Sequence, residues 1–163
     1  VDDLFAPPDA TWVRVQPALA RMLRVQLAAA TAVLVLVLVV LGLVWSALQP
    51  WTWLALVVVV LLAGWGWWLA GRYTANWGYA ERAEDLWITR GAVLHRLVVV
   101  PYGRMQLVDV TVGPVERLFH LAAVQLHTAS PATDARIPGL SPDEAARLRD
   151  RLTQLGEAEQ SGL

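Results

Sequence analysis

Two apolar runs, neither holding a charged residue, constrain this chain more than any other feature. Val25 to Trp45 reads VQLAAATAVLVLVLVVLGLVW, and Trp51 to Ala70 reads WTWLALVVVVLLAGWGWWLA. A bilayer's hydrocarbon core is about 30 Å thick and a helix rises about 1.5 Å per residue, so roughly 20 apolar residues cross it. Both runs reach that length. Only Ser46 to Pro50 separates them, and Pro50 favours a helix break and a chain reversal. A soluble helix of this length normally keeps a polar face, and neither run shows one. The expected element is a transmembrane helical hairpin with spans over residues 25–46 and 51–70.

The rest of the chain is of another character. Of 163 residues, 56% are hydrophobic and 17% charged, with a mean hydropathy of +0.46. The charges are segregated outside the two runs, and the length leaves room for one small domain. The net charge of -1 gives no support for a nucleic-acid partner. The chain has no Cys, which excludes disulfides, thiolate metal sites and thiol catalysis. The first run starts at Val25 and is longer than a signal-peptide core, so it is expected to stay as an anchor.

Positive residues favour the cytoplasmic side of a membrane. Arg14, Arg21 and Arg24 precede the first run, Arg72 and Arg82 follow the second, and Ser46 to Pro50 is uncharged. The expected placement is a multi-pass protein of the bacterial cell membrane with both termini cytoplasmic. Trp45, Trp51 and Trp53 would mark the outer interface, and Trp65, Trp67 and Trp68 the inner one. Lipid drives helix contact weakly, so close approach needs small side chains. Ala28 and Ala32, with Gly66 and Ala70, form i, i+4 pairs that predict the packing stripe of the hairpin. With no ionisable residue inside either run, no ion path is expected within one protomer.

Residues 1–24 read as a cytoplasmic segment, irregular over Val1 to Thr11. An interfacial helix begins at Pro17, with Leu19, Met22 and Leu23 on one side. A domain over 72–156 follows. Its expected strands are Tyr73 to Ala80, Leu86 to Thr89, Val93 to Val100, Met105 to Val112 and Ala122 to Thr128, with an extended piece from Arg136 to Pro138. Glu81 to Asp85 is a polar turn, Arg90-Gly91 a tight one, Val115 to Phe119 a short helical turn, and Ser130 to Asp134 a loop. Ser141-Pro142-Asp143-Glu144 has the form of a capping box. Ala145, Leu148, Leu152 and Leu155 then share one helix face, Gly156 reads as the C-cap, and 157–163 as a flexible tail. This order predicts an α+β membrane protein: the hairpin, then a small antiparallel β-barrel or sandwich capped by a C-terminal helix.

Three segments resemble the bacterial pleckstrin-homology (PH) family of YdbS-like membrane proteins. They are EDLWITRGAVLHR from Glu84, VPYGRMQLVDV from Val100 and GPVERLFHL from Gly113. Thr128-Ala129, Ile137 to Leu140 and the capped helix fit as well. The resemblance covers Tyr73 to Leu155, implies a PH-like fold with the hairpin as its usual companion, and does not imply an enzyme. PH domains that bind phosphoinositides carry Lys and Arg in the loop joining their first two strands. The loop matched to it here holds Glu81, Glu84 and Asp85 against Arg82 alone, so phosphoinositide binding is not expected.

No catalytic, cofactor or metal site is expected. His95, His120 and His127 show neither an HExxH spacing nor a helical metal pair. His127 with Asp109 or Asp134 is the one dyad to check, although lone His residues on strands are usually structural. The expected role is a non-enzymatic scaffold that binds protein partners or other copies of itself, with Pro101, Tyr102, Arg104 and Gln106 as the candidate contact turn. The alternative is an accessory subunit of a membrane transport or envelope-synthesis complex, held through the hairpin.

Overall fold

The computed structural model describes residues 11–45, 49–128 and 135–161. The chain runs β1 (Val13–Arg14), α1 (Ala18–Val44), α2 (Gln49–Ala75), β2 (Gly78–Glu81), β3 (Asp85–Arg90), β4 (Arg96–Pro101), a 3-10 turn (Tyr102–Arg104), β5 (Met105–Thr111), α3 (Pro114–Leu118), β6 (Ala122–Thr128), β7 (Ala135–Leu140) and α4 (Pro142–Ser161). The expected loop from Ser130 to Asp134, and parts of the expected irregular start, hairpin loop and tail, lie outside the described residues.

Helices α1 and α2 are 27 residues each, long and apolar enough to cross a membrane, and only 6% of each apolar window is buried. A core helix of a soluble protein would be mostly covered. Here Leu36, Leu43, Leu61 and Trp65 stand exposed, the arrangement that lipid requires.

Both helices extend further at their domain ends than the apolar runs. The turns expected as an interfacial helix are the start of α1, and Ala18, Leu19 and Met22 are buried in the core of the domain. Tyr73 to Ala75, expected as strand, are the last turn of α2. Thr74 Oγ1 donates to the Ala70 carbonyl at 3.1 Å and Asn76 N to that of Arg72 at 3.1 Å. Tyr73 and Trp77 meet edge to face at 5.8 Å. A spacing of four suits one face of a strand as well as one face of a helix, hence the misreading.

The strands make two antiparallel sheets, β1-β2-β3-β4 and β5-β6-β7. Val13 pairs with Tyr79, so the hairpin is inserted between the first two strands of the domain. The described part of the expected segment 1–24, from residue 11 on, is therefore part of the domain rather than separate from it. Leu86 and Ile88 alternate inward from β3, opposite Val100 and Val98 of β4, while Val124 and Leu126 point inward from β6. Strand β4 starts at Arg96 rather than Val93. Val93 and Leu94 lie exposed in the preceding turn, where Gly91 has a φ of +131° that L side chains rarely adopt.

Consecutive strands β4 and β5 do not pair, so the two sheets form a sandwich rather than the closed barrel held open as an alternative. Ala145, Leu148 and Leu152 of α4 are fully buried against it. The cap is as expected at Ser141, whose Oγ accepts from Glu144 N at 3.2 Å. Gly156 does not end the helix, which continues to Ser161.

Candidate functional site

The expected contact turn joins the two sheets and divides into a buried and an exposed half. Tyr102 is a core residue, 1% exposed. Its hydroxyl donates to the Arg82 carbonyl at 2.9 Å, and its backbone N donates to that of Glu84 at 3.1 Å. Burial, with the Glu81 charge nearby, pushes its phenol up to about 12. Tyr102 therefore holds the turn from inside the core. Pro101, Arg104 and Gln106 are exposed. Gln106 and Leu107 line an open groove of about 290 Å³ against Leu152, Thr153 and Gly156 of α4.

A polar network locks α4 to β2. Tyr79 OH donates to Glu144 Oε1, and Arg147 Nη2 donates to Glu144 Oε1 at 2.8 Å and to Glu81 Oε1 at 2.7 Å. The Glu144 carboxylate thus turns to Tyr79 and Arg147 rather than back to the start of its helix. Its hydrogen bond from Arg147 depresses its pKa. Burial, then Glu144, raises that of Tyr79. A carboxylate whose folded pKa is lowered stabilises the fold above its unfolded value, 4.5 here, and that stability is lost as the pH falls through the depressed value. The expected result is that Glu144→Gln lowers the thermal midpoint at neutral pH, with the gap to wild type closing as the pH falls below that value. A pH series of melting curves on both proteins checks this, and a gap independent of pH would refute it.

The histidines do not assemble a centre. His127 Nε2 lies 3.9 Å from Asp109 Oδ2, within ion-pair reach but too far for a hydrogen bond, and both side chains are partly exposed. Asp134 lies outside the described residues. Among the described residues no group of three or more His, Asp or Glu could hold a metal ion.

The hairpin uses half of its expected stripe. Gly66 faces α1, where an added Cβ would sit 3.0 Å from Leu27 Cδ2, and Ala70 is half-buried. Ala28 and Ala32 are exposed, and the partly covered residues of α1 within the span are instead Leu27, Thr31, Val35, Leu38 and Leu41. Gly42 is buried against Thr52 of α2, a contact between the two spans that spacing within one run does not announce. The acidic turn also changes meaning. Glu81 to Asp85 joins β2 to β3, while the connection between the first two strands is the hairpin itself.

The Bacterial PH domain family model matches residues 21–156, taking in both long helices and the sandwich up to α4. Transmembrane protein YdbS of Bacillus subtilis (strain 168) is 38% identical over 79 residues, 48% of each chain. The match therefore spans about half the length of that curated relative. No solved structure matches the chain. With two exposed apolar helices feeding a PH-like sandwich, the chain belongs to the bacterial PH domain family and is a YdbS-like membrane protein.

Proposed function

We propose that this protein is a non-enzymatic membrane scaffold, presenting its sandwich at the cytoplasmic face and binding a protein partner or a second copy along the seam between β4 and β5. The observation that carries this reading is the pair of open strand edges. Among the described residues β4 pairs only with β3, and β5 only with β6. Unpaired N–H and C=O groups along an edge are a template for an added strand. Val99 and Leu107 are exposed beside them, at 39% and 53%.

Orientation follows from charge. Arg14, Arg21, Arg24 and Arg72 cluster where the hairpin meets the domain. Arg24 lies over the Trp67 ring at 5.3 Å and Arg72 over Trp68 at 5.0 Å, contacts suited to an interface. Since the chain has no Cys, a single cysteine replacing Arg104 is its one thiol. A membrane-impermeant maleimide is expected to label it only after the cells are permeabilised.

The second reading is an accessory subunit of a membrane transport or envelope-synthesis complex, contacted through the hairpin. The exposed Ala28 and Ala32 favour it, as does Gly64, which has nothing within 4 Å of its Cβ position. Photo-cross-linking in native membranes separates the two. A probe at Leu107 is expected to form protein adducts and one at Ala28 to form none. The reverse pattern would hand the contact to the hairpin.

A further inference from the structure

The hairpin enters the sandwich beside a cavity of about 280 Å³ that none of the chemistry above uses. That volume lies at the small end of ligand pockets, which begin near roughly 300 Å³. Its membrane-side wall is apolar: Leu19, Met22 and Leu23 of α1, and Tyr73 of α2. The rest of its wall is mixed, with Trp77 and Pro138 beside the charged Arg90, Glu116 and Arg136.

The charges on that wall are unevenly matched. Glu116 Oε1 accepts from Arg136 Nη2 at 3.0 Å, and Oε2 accepts from the Gly113 backbone N at 2.6 Å. The Glu116 carboxylate is therefore neutralised by its own neighbours. The Arg90 guanidinium, half-buried at the end of β3, has no hydrogen bond or ion pair among the described residues. Trp77 is 4% exposed, and its buried Nε1–H likewise meets no acceptor. A buried donor without an acceptor is costly, and a ligand oxygen would relieve that cost. The wall thus offers one net positive charge next to an apolar surface, with the unused Trp77 N–H closed to solvent behind the Trp77 ring face.

We propose that this cavity takes the phosphate-bearing head of an anionic glycerophospholipid from the leaflet that faces the domain. Arg90 is the counter-ion of the phosphate, and a small turn of the Trp77 ring brings its buried Nε1–H to one of the phosphate oxygens. Leu23 and Tyr73 cover the glycerol end, where the acyl chains leave along the hairpin. The site needs only that the hairpin crosses the bilayer, and it stands or falls separately from the scaffold reading. A guanidinium and an indole N–H are both donors, so a phosphodiester satisfies them where a cationic or apolar ligand would not.

The test uses the full chain reconstituted in phosphatidylcholine bilayers. Spin-labelled phosphatidylglycerol or spin-labelled phosphatidylcholine is added, and electron paramagnetic resonance reads the motionally restricted fraction. Wild type is expected to prefer phosphatidylglycerol by about fivefold, the order that one partly exposed charge-assisted hydrogen bond supplies. Arg90→Gln is expected to abolish most of that preference, and Trp77→Phe, which keeps a ring and loses the N–H, to reduce it. Arg90→Lys keeps the charge and most of the preference, which covers the case of an unfolded glutamine variant. Arg72→Gln removes a juxtamembrane charge outside the cavity and leaves the preference intact. Equal retention of the two lipids would overturn the proposal. So would a preference that Arg72→Gln lowers as much as Arg90→Gln, since the charge would then be diffuse. Displacement by excess inorganic phosphate would assign the cavity to a free anion and overturn the lipid.

Discussion

Leu148→Ala is expected to destabilise the sandwich by about 2–5 kcal/mol, the range for truncating a fully buried leucine. Leu148 is 0% exposed and lies between Ala145 and Leu152, which are equally buried, on the one helix face that closes the two sheets. Little can collapse into the space it leaves, because sheet strands on both sides are held by their ladders. Leu155 sits one turn beyond Leu152 and is only partly buried, so Leu155→Ala should cost clearly less. Pulse proteolysis of the detergent-purified chain across a urea series reads the difference. Trypsin cuts after Arg147, Arg149 and Arg151, which become accessible when α4 leaves the sandwich. A Leu148→Ala midpoint indistinguishable from that of Leu155→Ala would show that α4 does not carry the core.

Gly139→Ala should be comparably damaging, and for two separable reasons. Gly139 has φ +74°, in a region that costs a non-glycine residue about 1–3 kcal/mol. Its added Cβ would also sit 2.8 Å from Leu19 Cδ2 and 3.0 Å from Leu19 Cβ, where α1 enters the domain. Overpacking of that kind typically adds about 1–3 kcal/mol. Just upstream of α1, the Gln16 backbone N donates to the Gly139 carbonyl at 2.8 Å, so the loop cannot simply back away. The double variant Gly139→Ala/Leu19→Ala removes the 2.8 Å contact with Leu19 Cδ2, and keeps both the 3.0 Å approach to Cβ and the backbone strain. Its loss is expected to be smaller than the sum of the two single losses. Gly64→Ala, in open space on α2, is the control and should be neutral. Strict additivity in the double variant would rule out the clash.

The hairpin, the capped α4 and strands β5 and β6 were legible because each obeys one clear rule. The runs from Val25 and Trp51 hold no charge, Ser141-Pro142 opens a helix, and the segments from Met105 and Ala122 are bounded by Gly103, Gly113-Pro114 and a polar loop. What escaped reading lies where α1 and α2 leave the membrane. Leu19 and Met22 sit at a spacing that serves a lipid interface and a protein core alike. Strand β1 is two residues long and pairs with a strand on the far side of both spans. No local pattern announces such a partner. The contact turn was half legible. Pro101, Gly103 and Arg104 mark a reversal, yet nothing local shows that Tyr102 turns inward to a carbonyl twenty residues upstream. The Arg90 and Trp77 cavity was invisible for the same reason, since its walls come from six separate elements or connections.

The placement of the two spans between β1 and β2 ties assembly of the sheet to entry into lipid. On the ribosome, Val13 and Arg14 emerge long before Gly78 and Tyr79, their eventual neighbours. A free chain of that separation would lose much entropy in bringing its ends together. Once both rods are threaded, their ends lie side by side on one surface, and the bilayer has already closed the loop. Strands β2, β3 and β4 can pair locally at any time, but β1 gains a short route to β2 only after the spans are threaded.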